Sequence, residues 1–347
     1  MSDQPPHERR RRKGLQSPTL SDVAKEAGVS SITVSRALSN PDSVRDSTRE
    51  RVEAAIERVG YVRNMVAGSL ASASSHFIPV IVPSLSNVVF IEVIQGLQST
   101  FESHGYQILL GNTDYSMKRE EELIRTFLGW SPTALVTTGL RHQPSLAALL
   151  RRYRRPLVEI MEFAAPGEAL DLNVGMSHYG AGRCMAEHLI AQGYRQVVFA
   201  GTQMDGNYRA MQRYDGHRDR LERADMEAPL LAWESPSHFD VGARALDAVL
   251  DRYPRCDAIH FADDVMACGA LLHASREGLR VPQDIAIAGF TGLPFGQSLT
   301  PRLTTVASPR EAIGRLAATQ IIDRLEGREP QRRRIDVGFE LIRGESA

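Results

Sequence analysis

Cysteine is scarce in this 347-residue chain: Cys184, Cys256 and Cys268 are far apart and form no CxxC pair. That argues against a disulfide framework and against a cysteine-held zinc site, and it fits a reducing compartment. Long apolar runs are missing too. No stretch approaches the roughly 18 residues of a membrane span, and the Arg- and Pro-rich N-terminus lacks the apolar segment of a secretory signal, so a cytoplasmic protein with no membrane partner is expected. Catalytic signatures are also absent: there is no GxGxxG, Walker GxxxxGK[ST], GxSxG or HExxH, and Tyr179-Gly-Ala-Gly lacks the third glycine. The ten histidines show no ligand spacing, and His104 and His188 sit among helical residues as surface or internally satisfied groups. Asp263 and Asp264 are adjacent and diverge in direction, which disfavours an acid–base pair. No enzyme activity, cofactor or metal is expected.

Net charge is nearly nil, −1 overall, with 42% hydrophobic and 24% charged residues. The total conceals an asymmetry: residues 1–75 hold twelve Lys/Arg against nine Asp/Glu, a surplus of +3, so the remainder carries −4. That split suits an N-terminal unit facing a polyanion and a larger body that does not. The length exceeds one typical domain of about 100 to 200 residues, so two or three packed units are expected.

The stretch TLSDVAKEAGVSSITVSRAL at 19–38 contains two short helical patterns. Leu20, Val23, Ala24 and Ala27 make one apolar stripe over 20–27, opened by Thr19 with Asp22 as a capping box and stopped by Gly28. Ser30 caps a second helix that turns Val34, Ala37 and Leu38 inward and leaves Ser31, Ile32, Thr33, Ser35 and Arg36 outward or sideways. Val52, Ala55, Ile56 and Val59 form a third stripe, opened by a Ser47–Glu50 capping box and closed by Gly60. Three helices with a tight turn between the first two describe a helix-turn-helix module, whose second helix presents its N-terminal residues to the major groove. An ordinary helical hairpin fits the same spacing.

From residue 77 apolar strand patterns alternate with helical ones: FIPVIV, YQILLG, TALVTTG, PLVEIM, QVVFAG, DAIHFA and DIAIAGF, with helices between them. Such alternation predicts parallel sheets covered by helices, and its length predicts two units. Ligands in open α/β sheets bind beyond the carboxyl ends of the strands.

The segment 19–71 resembles the headpiece of the lactose-repressor (LacI/GalR) family of bacterial transcription regulators. D-V-A-x-x-A-G-V-S, T-V-S-R, T-R-x-x-V-x-x-A and G-Y occur in order at family spacing. The resemblance implies double-stranded operator DNA as partner. Ser31 and Ile32 would read bases, Arg36 would contact a base or phosphate, and Thr19, Ser30, Thr33, Ser35 and Asn40 would hold the backbone. Ile32 donates no hydrogen bond, so its readout would be apolar, for instance of a thymine methyl. Residues 62–71 match the family's minor-groove hinge helix, placing Asn64, Ala67 and the wedge Leu70 there, with departures at Arg63 and Met65. This segment is too short to be helical alone, and Gly68 and Ser69 weaken it further. Ser72 to Ser75 read as a flexible joint. The run Arg9 to Lys13 reads as a solvated tail that adds salt-sensitive phosphate attraction.

The body resembles the family's regulatory domain, itself similar to periplasmic sugar-binding proteins, over IPVIVPSLSNVVFIEVIQGL, HLIAQGYRQVVFAG, FADDVMACGALLHASREGLRVPQDIAIAGF and LTPRLTTVASPREAIGRLAATQII. The fold expected is an all-α helix-turn-helix headpiece with a hinge helix, followed by a two-lobed α/β effector domain with parallel sheets. Its divisions are a tail at 1–18, the headpiece at 19–61, hinge and linker at 62–75, and the effector domain at 76–347. The first lobe takes about 76–176 and 305–333, the second about 177–304 and 334–347. By position, Phe90 would form an aromatic wall of the effector site, Asp264 would bind hydroxyls and Arg213 would be the basic contact. Ser84, Asn87, Glu162 and Phe290 would line the cleft. Each has a plainer reading: Phe90 as core, Arg213 paired with Asp215 or Asp219, and Asp264 as a helix N-cap. Asp263-Asp264 and Ser177-His178 depart from the family's common Asn-Asp and Asp-Asn.

Within the family the chain is most similar to gluconate-utilisation repressors, sharing PSL-x-N-x-x-F-x-E-V, HGYQ and P-RL-x-x-V-x-x-PRE-x-x-G. A polyhydroxy acid needs a cation for its carboxylate and acceptors for its hydroxyls, which Arg213, Asp264 and Glu162 would supply. The expected protein is a homodimeric repressor released from a palindromic operator by gluconate or a derivative. Alternatives are a regulator answering another sugar or a purine, or a sugar-binding protein or sugar-modifying enzyme with an incidental helical hairpin.

Overall fold

In the computed structural model, which describes residues 18–62, 75–85 and 87–347, the chain divides into compact units at 1–71 and 72–347. The first unit contains α1 (Leu20–Ala27), α2 (Ser31–Ser39), a short 3-10 turn at Pro41–Ser43, and α3 (Asp46–Val59). Thr19 and Asp22 form a reciprocal capping box, and Gly28 ends α1 at φ 64°, where a Cβ is disfavoured. Ser30 Oγ accepts the Thr33 amide at 3.2 Å and opens α2. The third helix differs from expectation. Arg45 is its N-cap and Ser47 lies inside the first turn, so no Ser47–Glu50 capping box forms. Instead Asp46 sits at the positive end of the helix dipole and pairs with Arg49 at 2.9 Å.

Val23, Ala24, Ala27, Val34, Ala37, Val52 and Ala55 form the core of this unit. So small a core is reinforced by polar ties: Arg51 on α3 donates to the carbonyls of Ala27 and Gly28, and Arg58 pairs with Glu26 at 2.8 Å.

The second unit is built on two six-stranded sheets. The first comprises β1 (Phe77–Val82), β2 (Gln107–Asn112), β3 (Leu135–Thr138), β4 (Leu157–Glu162), β5 (Leu172–Met176) and β11 (Arg334–Asp336), in the order β11-β5-β4-β3-β1-β2. The second comprises β6 (Val197–Thr202), β7 (Leu230–Trp233), β8 (Ala258–Phe261), β9 (Ala286–Thr291), β10 (Thr304–Ala307) and β12 (Glu340–Ile342), in the order β12-β10-β9-β8-β6-β7. The described pairings are parallel except β10 with β12. Helices cover both faces, which is why the central strands are unbroken apolar runs.

The chain passes from one sheet to the other after β5, β10 and β11. The lobe boundaries expected at 304/305 and 333/334 are corrected by strand pairing. β10 runs parallel to β9 from Thr304 to Ala307 and belongs wholly to the second lobe, while β11 pairs with β5 and belongs to the first. After β10 the chain returns to the first lobe, where α12 (Arg310–Leu325) packs on α4 (Val89–Glu102). The first lobe also holds α5 (Met117–Leu128) and α6 (Pro144–Leu150).

The second lobe holds α7 (His178–Gln192), α8 (Tyr208–Glu222), α9 (Phe239–Arg252), α10 (Asp264–Glu277) and α11 (Pro294–Gln297). α7 and α8 touch backbone to backbone. A Cβ on Gly182 would lie 1.9 Å from the Arg213 carbonyl oxygen, and one on Gly216 2.0 Å from that of Tyr179. The two glycines therefore fix the helix that carries Arg213 against the helix that begins at His178.

Candidate functional site

In the first unit, α2 presents Ser31, Ile32, Ser35 and Arg36 to solvent. Ile32 is 67% exposed, a large apolar side chain that the headpiece core does not use. Ser30 is spent on capping and on a 2.9 Å contact with Thr33, and the Thr19 hydroxyl donates to Asp22 at 2.7 Å, which leaves lone pairs of both at the surface. Arg36 makes no ion pair among the described residues, and the first turn of α2 contains no acidic residue. Asn40, exposed, ends α2. This face therefore offers a helix N-terminus, hydroxyls, one cation and one apolar contact, a combination suited to a DNA groove. Asn64, Ala67 and Leu70 lie outside the described residues.

In the second unit, the loops after the strands of both lobes enclose a chamber of about 400 Å³. Ser84, Asn87 and Tyr115 line it from the first lobe, and Thr202, Asn207, Ser237, Asp263 and Thr291 from the second. Asn87 Nδ2 donates to Tyr115 Oη at 3.2 Å. Tyr115 itself is held in left-handed backbone, φ 58°. Asp263, not Asp264, is the N-cap of α10: its Oδ1 accepts the Met266 amide at 3.0 Å and the Ser237 hydroxyl at 2.7 Å. Its Oδ2 has no protein donor among the described residues.

On the other side of Tyr115 is a second chamber of about 220 Å³, lined by Thr113, Glu120, Thr138 and Arg141 of the first lobe and Tyr208 and Arg209 of the second. Glu162, at the end of β4, is buried, and its Oε2 accepts the Leu140 amide at 3.2 Å. The lobes come so close here that a Cβ on Gly139 would lie 1.9 Å from Tyr208 Oη and 3.1 Å from Glu162 Oε2. Burial, with Glu162 nearby, raises the Tyr208 pKa and keeps the phenol neutral. Arg209 Nη1 donates to Tyr208 Oη at 3.1 Å. Burial opposes the Arg209 charge, but Tyr208 and Glu162 outweigh it and leave the pKa raised.

Phe90, Arg213 and Asp264 line neither of these two chambers. Phe90 is buried in the core of the first lobe and is not among the chamber's lining residues. Arg213 pairs with neither Asp215 nor Asp219, which Arg218 engages. It is 5% exposed, with its guanidinium 4.0 Å from the Phe290 ring centroid, Nη1 donating to His178 Nδ1 at 2.9 Å and Nη2 to the Ala262 carbonyl at 2.9 Å. Because Nδ1 accepts, the His178 ring proton is on Nε2. Burial and the two nearby arginines hold the His178 pKa well below its ordinary value, and burial lowers that of Arg213 to about 9. Asp264 is fully buried; its Oδ1 accepts the Thr305 hydroxyl at 2.6 Å and its Oδ2 the Leu293 amide at 2.7 Å, while burial pushes its pKa up to about 6.

The structure thus gathers Ser84, Asn87 and Asp263 at one chamber, Glu162 beside the other, and packs Arg213 with Phe290 behind them. Sequence reasoning passed over Tyr115, Asn207, Tyr208 and Arg209. Of these only Asn207 left a local signal, as a cap residue before a helix whose Ala210 amide it accepts at 3.2 Å.

Residues 19–64 match the model of the bacterial regulatory proteins of the lacI family, and residues 186–347 that of the periplasmic binding protein-like domain. The chain is 39% identical over 331 residues to the HTH-type transcriptional regulator GntR of Pseudomonas aeruginosa, covering 95% of both chains. It is 34% identical over 329 residues to GntR of Escherichia coli K12, covering 95% of this chain and 98% of that one. A LacI-family regulator from Silicibacter pomeroyi, solved by crystallography, superposes with a TM-score of 0.90 at 37% identity, covering 95% of this chain and 99% of that one.

Proposed function

The chain belongs to the lacI family of bacterial regulatory proteins and is a DNA-binding transcriptional repressor; from that premise we propose that it answers a small sugar acid, gluconate or a derivative. The observation that carries this reading is the polar chamber between the lobes, where Asn87 and Tyr115 face Asn207 and Asp263. Amides, a phenol and a carboxylate oxygen without a protein donor are the partners that a chain of hydroxyl groups requires. The resemblance to gluconate-utilisation repressors supports the same class.

The regulator acts as a homodimer on a palindromic operator, with Ser31, Ile32 and Arg36 at base edges and Thr19, Ser30, Thr33, Ser35 and Asn40 on the backbone. Asn64, Ala67 and Leu70 serve the minor groove. The sugar acid favours the closed cleft and lowers operator affinity; by linkage, operator lowers sugar-acid affinity by the same factor.

Thermal melting with gluconate, 6-phosphogluconate, 2-ketogluconate, glucose and a purine tests the effector class. A ligand at 100 times its dissociation constant stabilises by about 2.7 kcal/mol. A rise with a sugar acid alone, with release of labelled operator by the same compound, bears the reading out. A rise only with the neutral sugar or the purine overturns it, and tighter operator binding with gluconate would make the acid a corepressor. The Leu70→Ser variant should lose the operator shift.

A further inference from the structure

A buried cation that lines a cleft and has no carboxylate in ion-pair contact is placed to meet an anionic ligand. Two arginines of the second lobe compete for that description. Arg213 has its guanidinium face against Phe290, one donor on His178 and another on the Ala262 carbonyl, and does not line either chamber. Arg209 is 8% exposed and lines the smaller chamber. Its one side-chain hydrogen bond among the described residues is to Tyr208 Oη, and it has no ion pair there.

A second cation joins it from the opposite lobe. The guanidinium carbons of Arg141 and Arg209 lie 4.8 and 5.1 Å from the centroid of the same Tyr208 ring. Nearby carboxylates make no ion pair with Arg209: Glu120 accepts from Thr137 at 3.0 Å and lies 3.0 Å from His142, Glu162 accepts the Leu140 amide and favours the Arg209 charge only from beyond ion-pair distance, and Asp205 is at the exposed rim. Tyr115 lines both chambers, so a single extended ligand can pass it.

We propose that the acid group of the effector is bound by Arg209, assisted by Arg141, on the Tyr208 side of Tyr115, while its hydroxyls run past Tyr115 to Asn87, Asn207 and Asp263. Arg209 then decides acid against neutral polyol, and Arg213 is a positioning residue for His178 and Phe290. The inference rests on the sugar-acid reading above. It implies that a neutral polyol of the same length, with no anion for Arg209, binds weakly.

Isothermal titration of the full chain with gluconate and with sorbitol, its neutral counterpart, tests this in wild type, Arg209→Gln, Arg209→Lys and Arg213→Gln. The expected result is a wild-type preference for gluconate of about tenfold or more, collapse of that preference in Arg209→Gln, and partial recovery in Arg209→Lys, as follows from losing a charge-assisted contact. Melting curves of each variant separate loss of contact from loss of fold, and Arg209→Lys keeps the test decisive if Arg209→Gln does not fold. Retention of the preference in a folded Arg209→Gln, with its loss in Arg213→Gln, would assign the acid to Arg213 and overturn the inference. Failure of wild type to bind any sugar acid would instead overturn the effector class, and the inference with it.

Discussion

The Nδ1 atoms of His217 on α8 and His260 on β8 face each other at 3.0 Å, with both rings buried. Two lone pairs cannot share that distance, so one ring donates its proton to the other and the pair is neutral. Burial lowers the His217 pKa to about 3 and, with His217 and Arg213 close by, holds that of His260 well below its ordinary value. Folded-state values below the unfolded value of about 6.5 mean that this contribution is whole above pH 6.5 and falls as the solution is acidified, by up to about 1.4 kcal/mol per pH unit for each ring. Urea midpoints should drop between pH 7 and pH 5. A His217→Leu/His260→Leu double variant should lose less over that interval, and an equal loss would assign the acid sensitivity elsewhere.

His142 should show the opposite slope. It lies 3.0 Å from Glu120 and 3.2 Å from Glu159, and although burial works against its charge, the two carboxylates raise its pKa to about 9. A raised folded value gives stability that is complete below about pH 6.5 and is lost as pH climbs through 9. Replacing His142 by Ala leaves two buried acids facing one another, at a cost of about 3 to 5 kcal/mol at pH 7. Urea denaturation at pH 7 and pH 9.5 would show a large gap between variant and wild type at the first and a narrowed one at the second.

Gly139→Ala should hold the cleft ajar. The added methyl would meet Tyr208 Oη at 1.9 Å, and the backbone there has φ 90°, which disfavours a side chain. Effector affinity is expected to fall about tenfold or more, equivalent to at least ~1.4 kcal/mol. Titration calorimetry with gluconate reads this directly; unchanged affinity would mean that the effector does not need the lobes this close.

Ile32→Gln should change which operator is chosen without changing stability, because the side chain is 67% exposed and outside the headpiece core. A base contact is worth about 1 to 3 kcal/mol. Selection from a randomised palindrome should therefore shift at the base pair that Ile32 meets, while the melting temperature stays put. An unshifted selection would remove Ile32 from the base-reading face.

The central strands were legible because a parallel strand buried on both faces is a continuous apolar word, as Phe77–Val82 and Ala286–Thr291 are. Strands β5, β7, β10, β11 and β12 were missed: they are three to five residues long, and Leu172–Met176 carries Asn and Gly within five positions. The caps of the first two headpiece helices could be read from neighbours in sequence, whereas the failed one at Ser47 assumed a later helix start than Asp46, where the third helix begins with Arg45 as its N-cap. Arg209 gave no sign, since its environment is assembled from Gly139, Arg141 and Glu162 on the other lobe. His142 likewise gains its charge from Glu120 and Glu159, which only the fold brings to it.

Three passages of the chain between the two sheets leave neither lobe as an uninterrupted stretch of sequence. A recombination that exchanged residues 77–176 alone would leave behind α12 and β11, which complete the first lobe's core and sheet. Residues 18–62, by contrast, close their own core within one continuous segment. The DNA-reading half can therefore be inherited as a cassette, while a new effector preference has to arise by substitution in place.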